Sequence, residues 1–179
     1  MTHARSDSGL LRRSLALACT AAALIGAPAW AAPDGSKPHR ETARAWVSDS
    51  DLEVVRLDPD PAAAGGTTTL HAFISNQGPE TTGSPFTVVV TLPRGVTPEG
   101  PYFPTSCAPG PLKRQVRCVF PAGLNVYQSA TALIPIRLDT HLSPGTVFTG
   151  GSVTVRSIDD LHHRGNNQNS FNVQVSHHS

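Results

Sequence analysis

Apolar and polar residues alternate along most of the chain after residue 51, and this pattern restricts the fold more than any other feature. In the segment "TTTLHAFIS", residues 67–75, one side carries Thr68, Leu70, Ala72 and Ile74. Successive side chains of a strand point to opposite faces, so a period of two indicates strands that each bury one face. No window beyond the first 31 residues shows the spacing of an amphipathic helix.

Seven segments share this pattern, and Gly, Pro, Asn or Asp residues separate them. They are residues 52–57, 67–75, 86–92, 115–120, 130–138, 147–157 and 169–176. We therefore expect an all-β domain over residues 51–176, an immunoglobulin-like antiparallel β-sandwich of about seven strands. Pro135 lacks a backbone donor, which predicts an edge position or a bulge in the fifth segment. The glycines of "TGGS", residues 149–152, predict a bulge or kink in the sixth.

The stretch "SNQGP" interrupts the second segment abruptly. An Asn side chain can bond to its own backbone, a Gly accepts a positive φ, and a Pro prevents further strand pairing. Asn76, Gly78 and Pro79 are therefore expected to shape a turn, without a chemical role.

The first 31 residues have the organisation of a secretory signal peptide. Arg5, Arg12 and Arg13 precede the apolar run "LALACTAAALIGAPAWA", which ends in a small-x-small site with cleavage between Ala31 and Ala32. A retained anchor is the alternative, although the run is short for a membrane span. Residues 32–50 are polar and aperiodic, as in a flexible leader. These features predict a secreted or loosely envelope-associated protein with no membrane span in its mature form.

Cysteine usage agrees with export. Cys19 lies in the predicted signal peptide, so cleavage leaves Cys107 and Cys118 as an even pair. Two cysteines in a small exported domain predict a disulfide. A zinc pair is the alternative, but no His lies near either of them in sequence.

The charge balance argues against nucleic acid or an anionic membrane as the partner. The chain has 14 Lys and Arg against 13 Asp and Glu, and removal of residues 1–31, with three Arg and one Asp, leaves a formal charge of −1. Lys and Arg do not cluster along the sequence as they do in proteins that bind nucleic acid or anionic membranes. We expect no nucleic-acid partner.

Six short motifs occur in the order seen in one family. They are Asp51-Leu52, Gly65-Gly66-Thr67, Asn76-Gln77-Gly78-Pro79, Leu92-Pro93-Arg94-Gly95-Val96, the pair Cys107 and Cys118, and Asn169 with Val173 and Val175. In this, residues 51–176 resemble the bacterial surface-protein module called domain of unknown function eleven. The resemblance implies an immunoglobulin-like sandwich in cell-surface proteins, often in tandem repeats, without enzymatic activity. Tyr127 stands where the family often has Gly, so that turn is expected to differ.

Two sets of residues could bind a metal ion. His162-His163 and His177-His178 could hold zinc if the last hairpin joined them, but neighbouring residues of a strand point to opposite faces. The oxygen-bearing residues of the last loop, suited to Ca²⁺, are Asp159, Asp160, Asn166, Asn167 and Asn169. Solvated polar surface is the other interpretation of the histidines, and the turn of a wide hairpin is the other interpretation of the Asp and Asn residues. We expect no metal and no cofactor, and a Ca- or Zn-binding accessory protein is the alternative.

Several common catalytic motifs are absent from the sequence. It has no Gly-x-Ser-x-Gly, no His-Glu-x-x-His and no phosphate-binding glycine loop, so we name no catalytic residue, and a hydrolase is the least favoured hypothesis. Tyr102 and Phe103, in "GPYFPTSC", either form an interaction loop or cap the sandwich. The sequence thus predicts a non-catalytic module whose partner is an unknown protein or a cell-envelope polymer.

Overall fold

The computed structural model describes residues 47–177, so the predicted signal peptide and most of the leader lie outside the described residues. Nine strands and one 3₁₀ turn follow one another along this part of the chain. They are β1 (Leu52–Val55), β2 (Thr67–Asn76), β3 (Phe86–Thr91), β4 (Val96–Pro98), β5 (Cys107–Pro109), β6 (Gln115–Phe120), β7 (Ser129–Leu138), β8 (Val147–Arg156), the 3₁₀ turn Arg164–Asn166 and β9 (Gln168–Gln174).

The strands form two antiparallel sheets. The four-stranded sheet has the order β1-β2-β7-β4, and the five-stranded sheet has the order β5-β6-β3-β8-β9. This arrangement confirms the predicted β-sandwich. All seven predicted segments are strands, and the structure adds β4 and β5, which have three residues each. The described residues include no helix with the length and hydrophobicity that a membrane span requires.

The core consists of the alternate apolar residues of both sheets. Those of β2 predicted to share a face, Leu70, Ala72 and Ile74, are fully buried. Buried residues of β3 and β9 face them from the other sheet, and the rings of Phe86 and Phe120 stack 5.1 Å apart. Burial of one face per strand is the main contribution to stability in a fold of this kind.

Pro135 does not lie in an edge strand, because β7 pairs with β2 on one side and β4 on the other. Its register with β2 is regular through Thr69. On the β4 side of β7, the Leu133 N–H donates to the Phe103 carbonyl. Backbone N–H groups two residues apart in a strand point the same way, so an N–H at position 135 would also point to the β4 side. Proline has no such group, and the sheet therefore loses a donor only on that side. There β4 has ended at Pro98, and only the Glu99 N–H reaches the Pro135 carbonyl. The proline is tolerated because its strand partner is interrupted.

The predicted bulge at the glycine pair is confirmed. The register between β8 and β9 shifts between Phe148 and Gly151, and Gly150 has a φ of 86°. Two residues of β8 therefore oppose one residue of β9, which bends the strand.

On one flank of the sandwich, β1 and β9 are the edge strands of the two sheets, and side chains and the loop between β1 and β2 cover them. The Val54 carbonyl of β1 accepts from the Asn169 side chain, and the Asn172 N–H of β9 donates to Asp58. Residue Ala62 extends the cover by bonding to the Gln174 carbonyl. Open edges can pair with other chains, and this flank is protected against that.

Candidate functional site

One end of the sandwich, called here the loop end, contains most of the buried polar residues. It consists of segments 47–51, 77–85, 121–128 and 157–167, which precede β1 or connect β2 to β3, β6 to β7 and β8 to β9. Its buried polar side chains are Ser50, Asn76, Thr82, Ser84, Asp159, Asp160 and Asn167. Buried polar groups need partners, so their hydrogen bonds reveal their role.

Asn76 joins three of these segments. Its Oδ1 accepts from the N–H of Gly78 at 3.1 Å and of Asp51 at 3.3 Å. Its Nδ2 donates to the carbonyls of Glu80 at 2.8 Å and Leu124 at 2.9 Å. Gly78 has the expected positive φ, of 99°. The turn role predicted for "SNQGP" is confirmed, and Asn76 also has long-range contacts that the local pattern did not indicate.

Asp159 binds two backbone amides from distant segments. Its Oδ1 accepts from the N–H of Ser48 at 3.1 Å, and its Oδ2 accepts from the N–H of Ser84 at 2.7 Å. The Ser48 hydroxyl in turn accepts from the Gly83 N–H at 3.1 Å. This carboxylate therefore fixes the N-terminal segment and the β2–β3 loop.

Asp160 has an asymmetric environment. Its Oδ2 accepts from the N–H of Leu52 at 3.1 Å and from Asn167 Nδ2 at 2.7 Å. Its Oδ1 is buried without a protein donor, and so are the Oδ1 atoms of Asn166 and Asn167. A cleft of about 350 Å³ lies beside Asp160 and Asn167, with Arg156 and Arg164 in its wall. Asp159 and Asp160 lie in the loop between β8 and β9, as turn residues would, but both are buried, with about 1% of their surface exposed.

The five residues considered for Ca²⁺ do not converge as one ligand set. Asn169 points away, with its amide on the Val54 carbonyl. Across residues 47–177, no three His, Cys, Asp or Glu side chains lie close enough together to hold a metal ion. Any cation here would depend on Asp160 and the neighbouring amide oxygens.

The described histidines of the two pairs, His162, His163 and His177, share no contact. His162 Nδ1 lies 3.2 Å from Asp49 Oδ1, and both side chains are more than half exposed. His163 is exposed. His177 lies against Gly145, and His178 lies outside the described residues.

Tyr102 and Phe103 have different environments. Tyr102 packs partly against the core, and burial raises the pKa of its phenol. Phe103 exchanges two backbone hydrogen bonds with Leu133, at 3.1 and 2.8 Å, while its side chain is 59% exposed. The segment thus has one residue that caps the core and one that faces solvent, along the flank of the sandwich.

The disulfide predicted between Cys107 and Cys118 is present, with an S–S distance of 2.03 Å. The two residues are opposite each other on β5 and β6, in a non-hydrogen-bonded pair, where Cα atoms approach most closely. The bond fixes the three-residue strand β5 to the sheet.

Tyr127 has an unusual backbone conformation. Its φ is 59°, the region that favours glycine, and its side chain is 77% exposed. Its N–H donates to the Asn76 carbonyl at 2.7 Å, which holds the turn in place. The turn keeps the backbone that a Gly would allow, although a bulky residue occupies it.

A second cluster, which sequence reasoning missed, lies at the opposite end. Arg94 and Arg114 line a cleft of about 470 Å³ beside Thr149 and Gly150. Arg94 follows β3, and Arg114 precedes β6. Their separation of 20 positions gave no local signal.

No family profile matches the chain, and no curated protein matches it significantly. Among solved structures, it is similar to the third cohesin of ScaC from Acetivibrio cellulolyticus, solved with the ScaB dockerin, at 13% identity and a TM-score of 0.46 over 70% of this chain and 99% of that one. It is also similar to BcpA, the major pilin subunit of Bacillus cereus, at 8% identity and a TM-score of 0.48 over 71% and 39%. A PapD-like domain of human CEP192 matches at 10% identity and a TM-score of 0.38 over 74% and 89%.

Proposed function

We propose that this protein is an exported, non-catalytic β-sandwich module that has a structural or binding role at the bacterial cell surface or in the surrounding medium. The observation that carries the proposal is the use of the buried polar side chains at the loop end. Asn76 and Asp159 form their hydrogen bonds with backbone groups of the loops. Such bonds make the loops rigid, and they leave neither side chain available as an acid, a base or a nucleophile.

The disulfide supports the location. Disulfides persist in oxidising compartments and are rare in the cytosol, so Cys107–Cys118 fits the export signal expected for residues 1–31. Membership of the family named domain of unknown function eleven is part of this proposal. Its support is the order of motifs in the sequence and their places in the sandwich, such as Asn76 at the end of β2.

Cross-linking of the native secreted protein on intact cells, followed by mass spectrometry, tests the proposal. We expect the mature chain in envelope or medium fractions, beginning at Ala32, and a captured protein or polymer. A Cys107→Ser/Cys118→Ser variant shows whether capture of the partner depends on the disulfide that fixes β5 to β6. Cytosolic protein with an intact N-terminus, or no captured partner from cells and envelope polymers, would contradict the proposal.

A second candidate, an accessory protein that binds Ca²⁺, is favoured by one observation. Asp160 Oδ1 and the Oδ1 atoms of Asn166 and Asn167 are buried without protein donors, next to a cleft. Hard cations prefer such oxygens. The test is thermal unfolding with CaCl₂ or chelator, comparing the wild type with Asn167→Ala. A rise in Tm with Ca²⁺ in the wild type alone supports it, and an unchanged Tm rejects it.

A further inference from the structure

The five-stranded sheet has basic residues but no acidic residues in its strands. The strands of the five-stranded sheet and the β5–β6 turn contain no Asp or Glu. The basic residues on this side are Arg94, Lys113, Arg114, Arg117 and Arg156. Within residues 47–177, ion pairs involve only Arg56, Arg137 and His162 as the cationic partner, so these five basic residues have no carboxylate partner. A near-neutral chain thus has one basic side.

Arg114 is held in place by two hydrogen bonds with the backbone of Leu92. It is half-buried, its guanidinium donates to the Leu92 carbonyl, and its own carbonyl accepts from the Leu92 N–H at 2.8 Å. A guanidinium has five N–H donors, so most remain for another acceptor. Because no carboxylate among residues 47–177 pairs with it, this half-buried cation favours an anion from elsewhere.

The cleft beside Arg114 can accommodate that anion. Arg94 forms the second cationic wall, and the β8 bulge forms the third side. A Cβ added to Gly150 would meet no atom within 4 Å, so the bulge leaves open space. The volume of about 470 Å³ is within the range of ordinary small-ligand sites, about 300–1,000 Å³.

The sheet next to the cleft has a polar outer face. Its outward residues include hydroxyl and amide side chains, namely Thr87, Thr91, Gln115, Ser152, Thr154, Gln168, Ser170 and Asn172. Arg117 lies on the same face, about 10 Å along β6 from Arg114 at the rise of a strand. The outward apolar residues of these strands are Val89, Val119, Val147 and Ala108, with no aromatic residue among them. Protein partners usually bind to large anchor residues, and single-stranded nucleic acids stack on aromatic rings. The outer face of these strands offers neither.

We propose that the Arg94–Arg114 cleft binds a phosphate group of a hydroxyl-rich, phosphate-linked polymer, whose chain continues over the outer face of the five-stranded sheet. Phosphate is favoured over carboxylate because it presents acceptor oxygens in several directions, which two guanidinium groups can share. The inference rests on the proposed binding role and gives the partner a chemical class.

The test measures binding of the mature chain, residues 32–179, to poly(glycerol phosphate) by calorimetry at two salt concentrations. We expect saturable binding that weakens with salt, as exposed charges are screened beyond about 10 Å at 0.1 M ionic strength. Arg94→Gln/Arg114→Gln should weaken it at least about tenfold, since each charge-assisted bond is worth about that factor. Arg94→Gln/Lys113→Gln is a second variant, which replaces two exposed side chains and keeps the contact between Arg114 and Leu92. It should also weaken binding, and it separates loss of binding from loss of folding. Arg56→Gln/Arg137→Gln removes the same charge elsewhere and should change affinity less than about twofold.

Several results would overturn this inference. An equal loss in the Arg56/Arg137 variant means that net charge alone drives binding. Equal affinity for poly-L-glutamate points to an acidic polypeptide, and binding only to anionic vesicles points to a membrane. No saturable binding at millimolar polymer also rejects the inference. The proposed function has its own test: a protein captured on cells would support it even if poly(glycerol phosphate) does not bind.

Discussion

Replacement of Asn76 with Ala should be one of the most damaging single substitutions at the loop end. The side chain is fully buried and forms four hydrogen bonds, all with backbone groups. At a net value of about 1 kcal/mol each, their loss lowers the free energy of unfolding by about 4 kcal/mol. Small domains have a total stability of about 5–15 kcal/mol, so this is a large fraction. The truncation also leaves the Glu80 and Leu124 carbonyls without this donor.

Urea unfolding followed by far-UV circular dichroism, with the disulfide intact, measures this loss. We expect a lower midpoint with an unchanged dependence on urea, because the same surface is exposed on unfolding. Gln77→Ala is the matched control: Gln77 is the exposed neighbour, with side-chain bonds to Glu53 and Ser75, and should change stability by less than about 0.5 kcal/mol. A loss below about 1 kcal/mol for Asn76→Ala, or equal losses in both variants, would refute the reasoning.

Three further predictions concern the disulfide, a tyrosine and a glycine. Removal of both cysteines, Cys107→Ser/Cys118→Ser, should cost about 2–3 kcal/mol in urea unfolding, since the bond closes a short loop with a sequence separation of 11; an unchanged midpoint would contradict this. Burial raises the pKa of Tyr102, so the folded state holds its proton more tightly and loses stability relative to Tyr102→Phe as pH rises above about 10; a constant difference between the two proteins across that range would count against it. Gly151→Ala should lower the free energy of unfolding by about 1–3 kcal/mol, because its Cβ would lie 2.6 Å from a buried phenyl ring of β9. Gly100→Ala, where a Cβ would meet no atom within 4 Å, should leave thermal unfolding unchanged. Equal effects of the two substitutions would show that the contact relaxes.

The strands could be predicted from sequence because their signal is local. Alternation and turn residues fix which side chains face the core, and an even pair of cysteines after a predicted signal peptide indicates that the two are joined. Strands β4 and β5 were missed because three residues cannot show a period. The position of Pro135 was predicted incorrectly because the interruption of its partner strand depends on the path of residues 99–103.

The polar sites depended on contacts that no local pattern records. The amides that bind Asp159 lie 111 and 75 positions away in sequence, so the sequence indicated only that Asp159-Asp160 could belong to a wide turn. The basic side was hidden by the near-neutral net charge. Arg94, Arg114 and Arg156 come from separate segments, and only the order of strands in the five-stranded sheet puts them on one side.

The chain enters and leaves the sandwich at opposite ends. Ser48 is bound at the loop end, whereas the Ser176 N–H donates to Ala62 beyond the far end of β9. Tension applied to these two points would therefore pull β1 and β9 lengthwise against their neighbours, so that the hydrogen bonds of each ladder would bear the load together instead of opening one after another.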